Sequence, residues 1–272
     1  MSTALAPDTS TRSTAPGRPP GFGAVLRAEW HKLTSVRSTW WTVAALVVLG
    51  AGLTILMCWG NADWLASDDA DESPGSFITW GMMIAQVTAI VLGALVVTTE
   101  YGTGMIRTSF AAVPKRGRVL AAKAVTLAGL LFVVGTGTAL LGYWGGNYFL
   151  DREGIGLPLE GDVLRAMYGS GLYMAGLGLL ALGAGFLLRH TAAVISIVIA
   201  LVFVVGNMVI LVPGELGIWL ERMMPGNAGG VLAAPVPFNP DLLGAWPSFG
   251  IFAAEVAAVL LAAWWTLRRR DA

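Results

Sequence analysis

The sequence predicts an all-α integral membrane protein with six transmembrane helices and both termini in the cytoplasm. Three observations predict it: six long apolar runs, a composition poor in charge, and connections whose charge alternates in sign. The runs cover residues 40–59, 77–98, 119–144, 165–188, 192–212 and 248–267. Each is near the ~20 residues that an α-helix needs to cross about 30 Å of hydrocarbon. Backbone groups inside lipid have no water to bond, so such runs must be helical. The chain is 56% hydrophobic and only 12% charged, with a mean hydropathy of +0.69 and 35 glycines. A soluble core of this size needs far more charged surface, and glycine is commoner in membrane helices than in soluble ones.

The formal charge of zero hides a segregation. Arg12, Arg18, Arg27, Lys32 and Arg37 precede the first run. Arg107, Lys115, Arg116, Arg118 and Lys123 surround the second connection, Arg189 sits in the fourth, and Arg268, Arg269 and Arg270 follow the last run. The first, third and fifth connections hold only Arg152, Arg165 and Arg222, against a dozen acidic residues running from Asp63 to Asp241. Lys/Arg bias keeps its side of the membrane cytoplasmic, and every connection agrees.

Residues 1–21 are rich in Ser, Thr, Ala and Pro and lack the apolar core of a signal peptide, so they read as a disordered lead-in to a single domain over 22–272. Residues 22–37 then form an amphipathic helix. At about 100° per residue, Phe22, Leu26, Trp30, Leu33 and Val36 share one side, with Arg27, His31, Thr34 and Ser35 opposite. Such a helix lies along a membrane surface. Glu29 is the anomaly, because it falls within the apolar stripe. It either pairs with Lys32 one turn on or tilts into the headgroup layer.

In the second connection, Glu100 closes the second run, and Gly102 and Gly104 loosen the chain. A short segment, residues 105–113, then precedes Pro114, which restrains Val113 away from the α region. This is a docking surface in form; the alternative is an ordinary positive-inside loop. The fifth connection, residues 213–247, contains six prolines yet stays apolar, with Leu216, Ile218, Trp219, Leu220, Met223 and Met224. Short helices dipping back into the outer leaflet would cover those side chains, since a long structureless loop is uncommon.

Small residues recur four apart, as at Gly142 and Gly146, Gly171 and Ala175, or Ala181 and Gly185. That spacing lets helices approach closely, within one subunit or between two. Glu255 is the formal charge inside a run, about two turns or roughly 10 Å from its outer end. Gln86 and Asn207 are the other polar side chains at depth. Such groups face protein or a water-filled cavity, as interhelical bonds or as part of a pathway. Cys58 alone can form neither an internal disulfide nor a metal cage, and is expected to be a small apolar filler.

Several chemistries are not expected. No phosphate-binding G-x-x-x-x-G-K-[ST] loop and no HExxH occurs. A serine protease centred on Ser170 fails on geometry, since His190 lies twenty residues along, about 30 Å away by helical rise.

Four stretches carry a resemblance. They are Glu29–Leu33 (EWHKL), Ser35–Trp41 (SVRSTWW), Glu100–Arg107 (EYGTGMIR) and Ala111–Lys123 (AAVPKRGRVLAAK). Together they resemble the actinobacterial permease subunits of type-2 ABC exporters. The resemblance covers most of the chain from about residue 22, with its specific motifs in two cytoplasmic segments. It implies an interface helix with Glu29, Trp30, Lys32 and Leu33. It also implies a coupling helix meeting an ATPase subunit through Glu100, Tyr101, Gly104, Arg107, Phe110 and Pro114, and re-entrant helices between the fifth and sixth spans. It implies a plasma-membrane assembly of two permeases, identical or paralogous, with two ATPases that hold ATP and Mg. The chain itself would have no catalytic residue, cofactor, metal or nucleic-acid partner. Drugs, antibiotic peptides, lipids and polysaccharides are all cargoes of such exporters. Two alternatives stand beside this reading: a secondary transporter coupling protons through Glu255, and a non-transporting immunity or sensor protein on the same scaffold.

Overall fold

A computed structural model describes residues 21–113 and 115–269, all of it helix, turn or irregular chain with no strand among the described residues. The lead-in over residues 1–20, Pro114 and Arg270 lie outside the described residues. Helix α1 (Phe22–Ser35) ends where Val36 turns extended, and the indole N–H of Trp40 bonds to the Thr34 carbonyl at 2.8 Å across the bend. Six helices are long and apolar enough to cross a membrane. Five of them are α2 (Arg37–Leu65), α6 (Arg116–Arg152), α7 (Gly161–Leu188), α8 (Thr191–Val209) and α11 (Ala245–Arg269). The other begins as a single turn, α3 (Pro74–Phe77), and continues as α4 (Trp80–Thr103). The shorter elements are α5 (Met105–Ala112), α9 (Glu215–Arg222) and α10 (Pro225–Ala233).

Each apolar run sets the middle of its helix, and polar or interfacial residues extend most of them beyond it. The terminators are local. Gly104 adopts φ +75° and ends α4, whereas Gly102 stays helical within it. Arg189 ends α7 at φ 57°, the only non-glycine residue with positive φ among those described. Such a backbone is unusual for a long side chain. Ser73 accepts from the Gly75 N–H at the start of α3, and Pro225 occupies the first turn of α10, where its missing N–H costs nothing.

The most apolar stretches of the α3–α4 helix and of α7 are each 67% buried, against 22–33% for the other four. Those two helices are therefore the centre of the bundle, and α2, α6, α8 and α11 surround them. Their backbones meet where a Cβ on Gly93 would strike the Gly178 carbonyl. The repeated small residues act within the chain. Gly142 and Gly146 of α6 seat Thr54 and Cys58 of α2, so fully buried Cys58 is indeed a filler. Outward faces are apolar: Trp41, Val48, Trp59, Val133, Leu261 and Trp265 are exposed, as a lipid-facing surface requires.

Charge divides the bundle lengthwise. Helices α1 and α5, the α7–α8 turn and the end of α11 gather at a basic end, joined by Thr191 to Thr98 at 2.7 Å and Arg116 to the Leu267 carbonyl at 3.4 Å. The acidic connections gather at the other end, where Arg165 donates to the Ala234 carbonyl at 2.8 Å. Of the apolar connection after α8, only α10 is buried in the chain, against α7, α8 and α11. Leu216, Trp219 and Leu220 of α9 are exposed, because the inward side of α9 carries Gly217 and Glu221 instead.

Candidate functional site

Two features stand out, one at each end. At the basic end, four charged side chains from three helices form one buried cluster, which Ser109 joins from a fourth. Lys123, seven residues into α6, is 1% exposed, Glu100 of α4 is 3% exposed and Glu29 of α1 is 5% exposed. The Lys123 ammonium donates to Glu29 Oε2 and to Glu100 Oε1, both at 2.7 Å, and to the Val96 carbonyl at 3.4 Å. Lys32 donates to Glu29 Oε1 at 2.9 Å, to Glu100 Oε1 at 3.1 Å and to Ser109 Oγ on α5 at 2.9 Å. Every ammonium proton has an acceptor, and two positive charges meet two negative ones. That matters because a buried charge is tolerated only when paired and hydrogen-bonded. Among the described residues, Glu100 Oε2 is the one cluster oxygen without a hydrogen-bond partner.

Half-buried Lys32 is the only member that water reaches appreciably. Burial works to lower its pKa, but the hydrogen bond and charge of Glu29, with those of Glu100, outweigh that and raise it. Lys32 is therefore cationic throughout the physiological range.

The cluster revises several expectations. Glu29 neither rests on Lys32 alone nor tilts outward; it points into the bundle because Lys123 is there. The buried face of α1 is accordingly Val25, Glu29 and Leu33, while Phe22, Trp30 and Val36 face out. Lys123 is not a topology-setting loop charge, and Glu255 is not the sole formal charge inside the long helices. Ser109 joins α5 to the cluster, whereas the Arg107 side chain is exposed and makes no hydrogen bond or ion pair among the described residues. Beside the cluster, Tyr101 lies under the Arg189 guanidinium, 4.9 Å from its ring centre, and edge-on to Phe186. Phe110 of α5 is buried with the Arg116 guanidinium 5.4 Å over its ring. Gly104 supplies the left-handed turn between α4 and α5. Pro114 lies outside the described residues.

At the acidic end lies a cavity of about 500 Å³ between α3, the first turns of α4, α8 and α10. It brings together Gln86 and Asn207. Gln86 accepts a hydrogen bond from the Tyr173 hydroxyl at 2.7 Å and donates to the Met83 carbonyl at 2.8 Å. Asn207 is exposed at the cavity edge and donates to the Phe203 carbonyl at 2.5 Å. Residues Ala200–Val205 of α8 form a π-helical turn here. Val202 in that turn lies so close to α10 that a Cβ at Gly226 would meet its carbonyl oxygen at 2.6 Å. A strap holds the outer wall: Asn239 donates to Glu221 at 2.6 Å and Arg222 to the Asp241 carbonyl at 2.8 Å, flanking Phe238.

Glu255 joins neither feature. It is half-buried on α11, and its Oε2 is buried without a hydrogen-bond partner among the described residues. Ser170 is fully buried and donates to the Ala166 carbonyl, while His190 accepts from the Ala193 N–H. Among the described residues, no group of three or more His, Cys, Asp or Glu is placed to hold a metal ion.

Lys123 and Tyr173 are the site residues that sequence reasoning passed over. Lys123 did carry a signal, a lone ammonium within the apolar stretch Val119–Leu127. Tyr173 carried none, since its partner is 87 residues away. No family model matches the chain, and no curated protein matches it.

Proposed function

We propose that this chain is the membrane-spanning permease subunit of an ATP-driven exporter. The observation that carries the reading is the buried cluster. It ties a short exposed-sided helix, α5, and the surface helix α1 to two of the long helices through one set of charges. A force applied to α5 from outside would reach α4 and α6 through Ser109, Lys32, Glu100 and Lys123 without intervening flexible chain. That is the arrangement needed to couple a separate ATPase subunit to the bundle. On this reading the basic end is cytoplasmic by the Lys/Arg bias, the assembly sits in the plasma membrane with a second permease copy or a paralogue, and ATP with its Mg is held by the partner. Helices α9 and α10 dip into the outer leaflet, where lipid covers Leu216 and Trp219.

The test is co-expression with a candidate ABC ATPase, followed by transport-stimulated ATP hydrolysis in reconstituted vesicles. Glu100→Ala should lower the stimulated rate while the protein still reaches the membrane. An unchanged stimulated rate in that variant would remove the coupling role.

A second reading rests on Glu255, whose partnerless buried oxygen is what a proton-coupled carboxylate would present. Uptake into inverted vesicles separates the two. ATP-driven uptake that survives both a protonophore and Glu255→Gln supports the exporter; uptake driven by a pH gradient alone, with no ATPase present, supports the secondary transporter.

A further inference from the structure

We infer that the cavity at the acidic end is a binding site for a cationic amphiphile. The inference rests on the exporter reading only in calling that ligand a cargo; the site itself is argued from its own walls.

The volume of about 500 Å³ lies within the range of sites that enclose small organic ligands. The large side chains of the wall are mostly aromatic or thioether: Phe77, Trp80, Met82, Met83, Phe203 and Phe238. A hydrated ion or a hydrophilic polymer would leave that surface wet and gain nothing from it, whereas an apolar body would release its water. The polar groups are few and mostly uncharged. Gln86 makes one hydrogen bond through each end of its amide, which leaves one N–H and one lone pair free. Asn207 and Asn227 add two further amides.

Among the described residues, Glu72 is the one carboxylate that lines the space, and no Lys, Arg or His does. Glu72 is exposed and forms no ion pair among the described residues, with Asp68, Asp69 and Asp71 just before it in the chain. It precedes α3 at the end of the bundle, whereas Gln86 lies six residues into α4, about 9 Å by helical rise from the start of that helix. The charge is thus at the rim and the amide at the floor, with aromatic wall between. A cation at the rim meets the carboxylate and the faces of the aromatic rings, which attract positive charge. An anionic head meets like charge. The edge is open, since Met83, Asn207 and Phe238 are all exposed.

The experiment needs no ATPase. The purified chain in phosphatidylcholine nanodiscs is titrated with rhodamine 6G, a cationic amphiphile, and probe polarisation is read against empty nanodiscs. Decyltrimethylammonium and decanoate serve as competitors. Gly230 is the site for a filling substitution, because a Cβ there would meet only the edge of Phe238 at 3.8 Å. Expected are saturable binding of one probe per chain, displacement by decyltrimethylammonium but not decanoate, and a loss of at least tenfold in affinity for Gly230→Phe. Glu72→Gln should weaken the probe severalfold. Asn207→Phe, which alters an exposed side chain at the edge, decides the matter if Gly230→Phe does not fold. Wild-type affinity in the folded filling variant, or equal displacement by decanoate, overturns the assignment. Binding that behaves as expected without ATP-driven transport would instead sink the exporter reading and leave the site standing.

Discussion

At the basic end, two lysines and two carboxylates pair charge for charge; at the acidic end, about 500 Å³ is left unfilled and its polar groups are mostly uncharged. The difference is one of mechanical character. Charges buried together hold four segments at fixed distances, because moving any one of them exposes the others to an unpaired state in low dielectric. Amides and aromatic rings around a void can shift by a rotamer at little cost. The bundle is stiff where an external subunit would push and adaptable where a ligand would sit.

The sharpest break of that comparison is Lys123→Met. It leaves Glu29 and Glu100 buried with Lys32 as their only cation, and should cost about 3–5 kcal/mol. Thermal melting of the purified protein reads the loss, and adding Glu100→Leu, which rebalances the charge, should recover much of it. A single variant that melts like wild type would mean the cluster does not hold the end together. Next in size is Gly93→Ala, whose methyl would press on the Gly178 carbonyl between the two central helices and should cost about 1–3 kcal/mol. Gly230→Ala at the cavity should stay within about 0.5 kcal/mol, because the methyl enters open space. Equal costs at the two glycines would erase the contrast in packing.

Lys32→Met should cost less than Lys123→Met, about 1 kcal/mol, since Lys32 is 32% exposed and water replaces part of what it gives. Its pKa sets the sign of the pH dependence. The folded value is raised above the ordinary 10.5, so the contribution of Lys32 is complete below that pH and lost as pH rises through the raised value. Melting temperatures of wild type and Lys32→Met should therefore converge in strong alkali and differ at neutral pH. The smallest effect belongs to Arg107→Ala, expected within about 0.5 kcal/mol because Arg107 is exposed and unpaired among the described residues. A large loss there would show a contact that belongs to the cluster.

Much of this was legible in the chain because lipid imposes simple rules. Length and hydropathy alone mark six helices, and the glycine at 104 marks the break before α5. Glu29 was legible as an oddity, a carboxylate on an apolar stripe, but its meaning was not. Lys123 looks like one more basic residue at a cytoplasmic boundary, and only the approach of α1 to α6 turns it inward. The pairing of Gln86 with Tyr173, and the meeting of α3 with α8 and α10 around a void, depend on contacts between distant segments that no local pattern encodes. The exposed stripe of α9 is an apolar run that the chain itself leaves uncovered, so the outer-leaflet cover that the sequence suggests would have to come from lipid.

The widened turn Ala200–Val205 has a consequence for how the cavity could change over time. A π-turn holds one residue more than an α-turn, so every side chain beyond it is rotated by about 100° from where an uninterrupted helix would place it. Asn207 lies beyond it. Deleting any one residue of 200–205 would restore α-helical phase and swing Asn207 off the cavity edge, bringing a neighbour round in its place. A second such turn, Val48–Gly52 of α2, carries the carbonyl of Gly50 against Gly81 at the start of α4. The set of groups presented to a ligand is thus encoded partly as helix phase, so a single inserted or lost codon could exchange it in one step where substitution would need several.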